Sequence, residues 1–275
     1  MMDRRALVME ELGLAPMWVR RELLLDEEDV AASASETVTA AGSRTTTGAN
    51  PRTHALQQVI KAAQKPVSIS EKREAEAAPA VKNDERAQAI SQMNWDELQE
   101  AVRNCTACEL CQSRTQTVFG VGHPQAPLVV VGEAPGADED RQGEPFVGVA
   151  GQLLDHMLAA IGEKRGERVF IANVLKCRPP GNRNPQPEEV AQCAPFLHRQ
   201  LELIAPHALL AAGRFAIQTL LETDTPVGVL RGRVHRYRNT PVVVTYHPAY
   251  LLRNLPDKSR AWRDLLLLRT QLPQS

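Results

Sequence analysis

Five cysteines and four short loops hold the residue types that do chemistry in this chain. Cys105 and Cys108 form a C-x2-C pair, Cys111 repeats the spacing, and Cys177 and Cys193 follow far downstream. Four thiolates at such positions suit zinc or an iron–sulfur cluster. The competing reading is of small buried hydrophobes, because Cys193 shares a helical stripe with Val190, Leu197 and Leu201. The loops are Gly132-Glu133-Ala134-Pro135-Gly136, Asn173 with Lys176–Pro180, Gly213-Arg214, and His247–Arg253. Alone, Asn173 reads as a helix cap and His247 as a core histidine. If the four loops meet, a carboxylate, a carboxamide, an imidazole and several arginines converge.

A parallel sheet would bring them together. Apolar runs at Leu128–Val131, Val169–Val174, Ala208–Ala212 and Val242–Tyr246 each precede one of the loops. They lack polar alternation, as strands buried on both faces do. Helical patterns separate them: Leu153, Leu154, Met157, Leu158 and Ile161; Pro187 to Ile204, opened by proline and two glutamates; Phe215 to Leu221; and Trp262–Leu268. The expected class is α/β, a three-layer α/β/α arrangement around a central four-stranded, mostly parallel sheet. Ligands of such sheets bind at the carboxyl ends of the strands, where all four loops lie.

The chain divides near Trp95. Ten of its eleven aromatic residues lie at or beyond that position, and residues 31–90 have none, with Ala, Ser or Thr at 26 of 60 positions. Such a stretch buries too little apolar surface to offset its ordering entropy, so it is expected to be a disordered linker, with short helices possible around His54–Gln64 and Ser70–Ala78. Residues 1–30 are expected to hold a short helical segment, and 95–270 the folded domain. An amphipathic Asp3–Leu25 on a long tether can reach a protein partner.

The net charge of −1 excludes a uniformly basic nucleic-acid binder. The average hides an asymmetry: residues 96–164 carry 4 Lys/Arg against 11 Asp/Glu, and residues 165–275 carry 16 against 8. A basic C-terminal portion can face a polyanion. No apolar run approaches a membrane span, and the N-terminus lacks the apolar core of a secretory signal. The expectation is a monomeric cytoplasmic protein with no membrane contact, in a compartment where disulfides are disfavoured.

From Trp95 to about Leu268 the chain resembles the family 4, iron–sulfur uracil-DNA glycosylases. The resemblance rests on Cys105-x2-Cys108, Gly132-Glu-Ala-Pro-Gly136, Gly143-Glu-Pro-Phe-Val-Gly148 and Gly151-Gln-Leu-Leu154. It continues through Asn173-Val-Leu-Lys-Cys-Arg-Pro-Pro180, Asn182-Arg-Asn-Pro185, Cys193 and His247-Pro-Ala-Tyr-Leu-Leu-Arg253. It implies a [4Fe-4S] cluster on Cys105, Cys108, Cys177 and Cys193, with no ligand counterpart for Cys111. It also implies hydrolysis of the N-glycosidic bond of deoxyuridine in DNA, on a base flipped from the stack.

By the same resemblance, Asn173 reads the uracil edge, Phe146 stacks on the base, and Ala134 and Pro135 line the pocket. His247 hydrogen-bonds the leaving base, and Leu251, Leu252 and Arg253 enter DNA at the flipped site. Glu133 and Glu139 compete for the remaining acidic role: Glu133 to position water or shape the pocket, Glu139 near uracil C5. The basic run Arg231-x-Arg233-x2-Arg236-x-Arg238 would add charge beside the DNA. One rival is an inactive DNA-binding relative acting as a repair or replication accessory, and another is a zinc-binding structural module. A branch that bonds covalently to the abasic site carries a histidine insert after the second strand, and Pro179–Pro185 has no histidine.

Overall fold

The computed structural model describes the backbone of residues 78–273 and the side chains of residues 85–273. Asp3–Leu25 and the proposed helices at His54–Gln64 and, but for its last residue, Ser70–Ala78 lie outside these residues. Five strands form one sheet: β1 (Leu128–Gly132), β2 (Val169–Asn173), β3 (Ala208–Ala212), β4 (Val234–Tyr237) and β5 (Thr240–Thr245). Their order is β2-β1-β3-β5-β4, with β1, β2, β3 and β5 parallel and β4 antiparallel to β5. The expected sheet of four strands therefore gains a fifth. Val-His-Arg-Tyr lies at an edge with half its residues exposed, so it lacks the apolar run that marks the others.

Every residue of β1, β2 and β3 is buried, and successive side chains alternate between two cores. Val129, Val131, Phe170, Ala172, Leu209 and Val244 face one core. It is covered by α1 (Ala78–Gln92), α2 (Trp95–Arg103), α6 (Pro187–Ile204) and α7 (Arg214–Leu221). Leu128, Val130, Ile171, Leu210 and Val243 face the other, under α5 (Val149–Ala159) and α10 (Lys258–Arg269). Short helices α3 (Leu110–Ser113), α4 (Ala137–Gln142), α8 (Val227–Leu230) and α9 (Pro248–Arg253) fill the connections. No helix among the described residues is long and apolar enough to cross a membrane.

The helix α1 corrects the expected end of the linker. Its alanines and charges give little periodicity, which is why composition hides it. Its last turn nevertheless carries Ile90, 2% exposed, into the first core. Arg86 donates to the carbonyl of Gln192 at 2.6 Å and lies over the Phe196 ring at 4.9 Å. The folded unit therefore begins before Trp95.

A chain starting at Trp95 should be less stable than one starting at Ala78 by about 2–5 kcal/mol, the cost of deleting a buried isoleucine from a core. Urea denaturation of the two measures this. Equal midpoints would show that α1 contributes nothing to the core.

Candidate active site and cysteine cavity

The register of β1 against β2 sets the site. Gly132 pairs with Asn173 as the last residue of each strand. The bonds from Val174 N to Gly132 O at 3.0 Å and from Leu175 N to Glu133 O at 3.0 Å continue the pairing beyond the strands. A Cβ at position 132 would lie 2.4 Å from Asn173 Oδ1 and 2.6 Å from the Phe146 ring. Glycine here thus lets a carboxamide and an aromatic face meet over the strand end. Asn173 is 2% exposed, and its Oδ1 is buried without a hydrogen-bond partner. A buried unpaired acceptor costs about 1–3 kcal/mol, which a ligand N–H would recover.

His247 follows β5 and caps α9. Its ring stacks on that of Phe146 with centroids 5.4 Å apart. Burial first, then the charge of Arg253, pushes its imidazole down to about 4, against a smaller upward pull from Glu139. The ring is therefore neutral near pH 7. Its Nδ1 accepts from Ala249 N at 3.2 Å, which leaves the proton on Nε2. A neutral N–H donor thus sits beside Phe146.

The two glutamates separate by their partners. Glu139 Oε2 accepts from Gly136 N at 3.0 Å, and Oε1 accepts from Val147 N at 3.0 Å and Gly148 N at 3.3 Å. That carboxylate ties the loop after β1 to the loop that carries Phe146. Glu133 has no hydrogen-bonded donor on its carboxylate among the described residues. Burial raises its carboxyl above the usual range, partly opposed by Arg214 at the start of α7. Ala134 and Pro135 continue from it, partly buried and buried.

The DNA-facing expectations need two corrections. Leu251 is 1% exposed and belongs to the second core, so it faces inward and anchors α9. Leu252, 38% exposed, and exposed Arg253 are the outward residues. The arginine run is also less available than its spacing suggests. Arg231 pairs with buried Asp264 at 2.8 Å, and Arg238 pairs with Glu202. Because β4 runs antiparallel to β5, with Tyr237 opposite Thr240, Arg236 and Arg238 lie at the end of the sheet away from His247.

The cysteines meet in one cavity. Cys105, Cys108, Cys111, Cys177 and Cys193 line it with Arg114, Lys176, Gln192 and Phe196. Arg114 donates to Cys177 Sγ at 3.0 Å, Lys176 N to Cys193 Sγ at 3.2 Å, and Arg86 approaches Cys105 Sγ at 3.6 Å. Burial pushes the Cys193 thiol up to about 12 and raises those of Cys108 and Cys177, so a metal must displace their protons. The soft donor set and the surrounding N–H groups fit a thiolate-bound iron–sulfur cluster. Among the described residues, no three His, Cys, Asp or Glu side chains group around a single ion.

Lys176 joins the two regions, and sequence gave no sign of it because one lysine beside a cysteine looks like a surface residue. It is 1% exposed. Its Nζ donates to Asn173 O at 2.8 Å and Gln200 Oε1 at 2.7 Å, and Gln200 donates to Phe119 O at 2.9 Å.

Residues 119–266 match the family model of the uracil DNA glycosylase superfamily. A type-4 uracil-DNA glycosylase of Archaeoglobus fulgidus is 47% identical over 165 residues, covering 57% of this chain and 82% of that protein. A type-4 uracil-DNA glycosylase of Pyrobaculum aerophilum is 39% identical over 183 residues, covering 64% and 93%. A type-5 uracil-DNA glycosylase of the same organism is 29% identical over 189 residues, covering 57% and 83%.

Asp264 holds the end of β5 that presents His247. Its carboxylate accepts from Thr245 Oγ1 at 3.0 Å and from Arg231 at 3.0 and 2.8 Å. Asp264→Ala removes the carboxylate that neutralises Arg231 and should cost about 3–5 kcal/mol, read by urea denaturation. A change below about 1 kcal/mol would show that the pair does not brace the strand.

Proposed function

The chain belongs to the uracil-DNA glycosylase superfamily, and from that premise we propose how its own residues do the family's work. It is a DNA-repair glycosylase that hydrolyses the N-glycosidic bond of deoxyuridine in DNA and releases uracil. The observation that carries the assignment of residues is the unpartnered Oδ1 of Asn173, buried against the Phe146 ring. Uracil offers N3–H to that oxygen and O4 to the amide N–H2. Cytosine presents a lone pair at N3 and an amine at position 4, so both contacts become mismatches. Phe146 supplies the stacking face, worth about 1–3 kcal/mol for a base.

As the glycosidic bond breaks, negative charge builds on uracil O2 and N1, and the sugar becomes oxocarbenium-like. The Nε2–H of His247 donates to O2. Because the ring is already neutral and oriented by Ala249 N, it meets the growing charge without reorganising, as preorganised donors do. Glu133 holds the attacking water, since its carboxylate is the one in the site not engaged by backbone N–H groups. Glu139 positions Phe146 rather than touching C5. Leu252 fills the vacated stack while Arg253 and Arg233 hold phosphate.

Cys105, Cys108, Cys177 and Cys193 are the residues that would hold a [4Fe-4S] cluster, and when bound it would tie the segment before β1 to α6 and to the Asn173 loop. Arg86 and Arg114 would donate to its thiolates. The protein acts as a cytoplasmic monomer, and Asp3–Leu25 reaches a protein partner.

Three outcomes follow. Asn173→Ala should lower single-turnover release of uracil from an oligonucleotide by several orders of magnitude and keep binding to undamaged DNA, because phosphate contacts position and base contacts specify. Unchanged release would remove Asn173 from the pocket.

The pH profile separates the other two groups. As pH falls, Glu133 protonates first, because its carboxyl lies above the usual range, and His247 only near 4. Release should decline on the acid side along a limb that vanishes in Glu133→Gln. A limb that remains in Glu133→Gln and is centred near the ordinary histidine value, about 6.5, would contradict a neutral His247.

Alanine at Cys105, Cys108, Cys177 or Cys193 should reduce bound iron and thermal stability together, and alanine at Cys111 should not. Iron analysis with Cys111 essential and Cys193 dispensable would overturn the ligand set.

A further inference from the structure

Phe146 has φ +56°, a left-handed backbone that costs a bulky residue free energy and persists only where its surroundings enforce it. Three groups enforce it. Glu139 accepts from the N–H groups of Val147 and Gly148 on the far side of the residue. Gly151, in the first turn of α5, comes so close that a Cβ there would lie 1.8 Å from the Phe146 carbonyl oxygen. The third is Arg165, in the turn that leads into β2. Its Nη1 donates to Pro145 O at 2.7 Å and its Nη2 to Phe146 O at 2.8 Å. Its Nε is fixed by Asp155 of α5 at 2.8 Å.

One guanidinium thus grips two consecutive carbonyls while a carboxylate holds its third edge. The planar fork of arginine makes this possible, and an ammonium could not bond all three in the same geometry. The gripped peptide carries the ring that lies against His247 and over Gly132. The hydrogen bonds of Arg165 go to the two backbone carbonyls and to Asp155.

We propose that Arg165 is a positioning residue for base stacking: it clamps the 145–146 carbonyls so that Phe146 presents its face to uracil before DNA arrives. The proposal rests on the uracil-stacking reading of Phe146 given above. Without the clamp the turn relaxes toward negative φ and the ring leaves the Asn173 amide. Chemistry suffers while phosphate contacts, which lie elsewhere, do not.

The test is a double-mutant cycle in the full-length protein, with a single uracil-containing oligonucleotide and single-turnover conditions. Arg165→Gln should slow uracil release about 100-fold, the scale expected when a contact is misplaced by roughly an ångström. Binding to the undamaged oligonucleotide should change less than about twofold. In a Phe146→Ala background, the same substitution should slow release by no more than about twofold, because its effect runs through the ring. An equal loss in both backgrounds would overturn the proposal and reduce Arg165 to general support of the fold.

Circular dichroism and thermal melting check that each variant is folded. If Arg165→Gln is not, Asp155→Asn loosens the same guanidinium from outside the turn. It should produce a smaller loss that also disappears with Phe146→Ala, and a loss that persists there overturns the proposal. Phe146→Ala with wild-type rates would refute the stacking role and the clamp with it. A wild-type protein that releases no uracil would refute the functional reading itself.

Discussion

The site depends on a missing side chain. Parallel pairing of β1 with β2 puts Gly132 opposite Asn173, and only a residue without Cβ leaves room for the Asn173 oxygen and the Phe146 ring at that strand end. A Cβ there could be accommodated only if the amide or the ring shifted from its place. Everything around the pair serves to hold it. Glu139 fixes the turn from its N–H side, and Lys176 fixes the carbonyl of Asn173 from below. Asp264 holds the end of the strand that delivers His247.

Two electrostatic strategies operate within one sheet edge. Around Phe146, burial and Arg253 hold His247 neutral, and Asn173 carries no charge at all. A neutral donor facing a developing anion gains strength as charge grows, without having first been a buried cation that burial would destabilise. On the cysteine side, a buried lysine lies beside thiols. Burial pulls its ammonium down to about 8, and the neighbouring Cys193 and Cys177 pull the other way. Thiolates in that cavity would favour the ammonium, whose Nζ donates to the Asn173 carbonyl.

Much of this was legible in the sequence for physical reasons. Strands buried on both faces must read as unbroken apolar runs, so β1, β2, β3 and β5 declared themselves, and the loops after them had to share an edge. Asn173 and His247, singled out by their place after the strands, and Phe146, singled out by the family resemblance, lie together at that edge, and the five cysteines line one cavity. Leu251 was misjudged because a Leu-Leu pair does not say which residue faces inward. The helical turn buries one and exposes the next. The strand β4 and the helix α1 lacked any apolar pattern, since one lies at an edge and the other, among its described side chains, buries one isoleucine. Pairings across the chain were invisible. Arg231 reads in the sequence as free charge beside the DNA because its partner Asp264 lies thirty-three residues away.

The most direct test of this arrangement is a crystal structure of the protein with free uracil. Uracil should lie flat against Phe146, its N3–H within hydrogen-bond distance of Asn173 Oδ1 and its O2 at His247 Nε2, with Glu139 still on the Val147 and Gly148 N–H groups. Uracil bound away from Asn173, or seated with His247 Nδ1 facing it and Ala249 N released, would contradict the account.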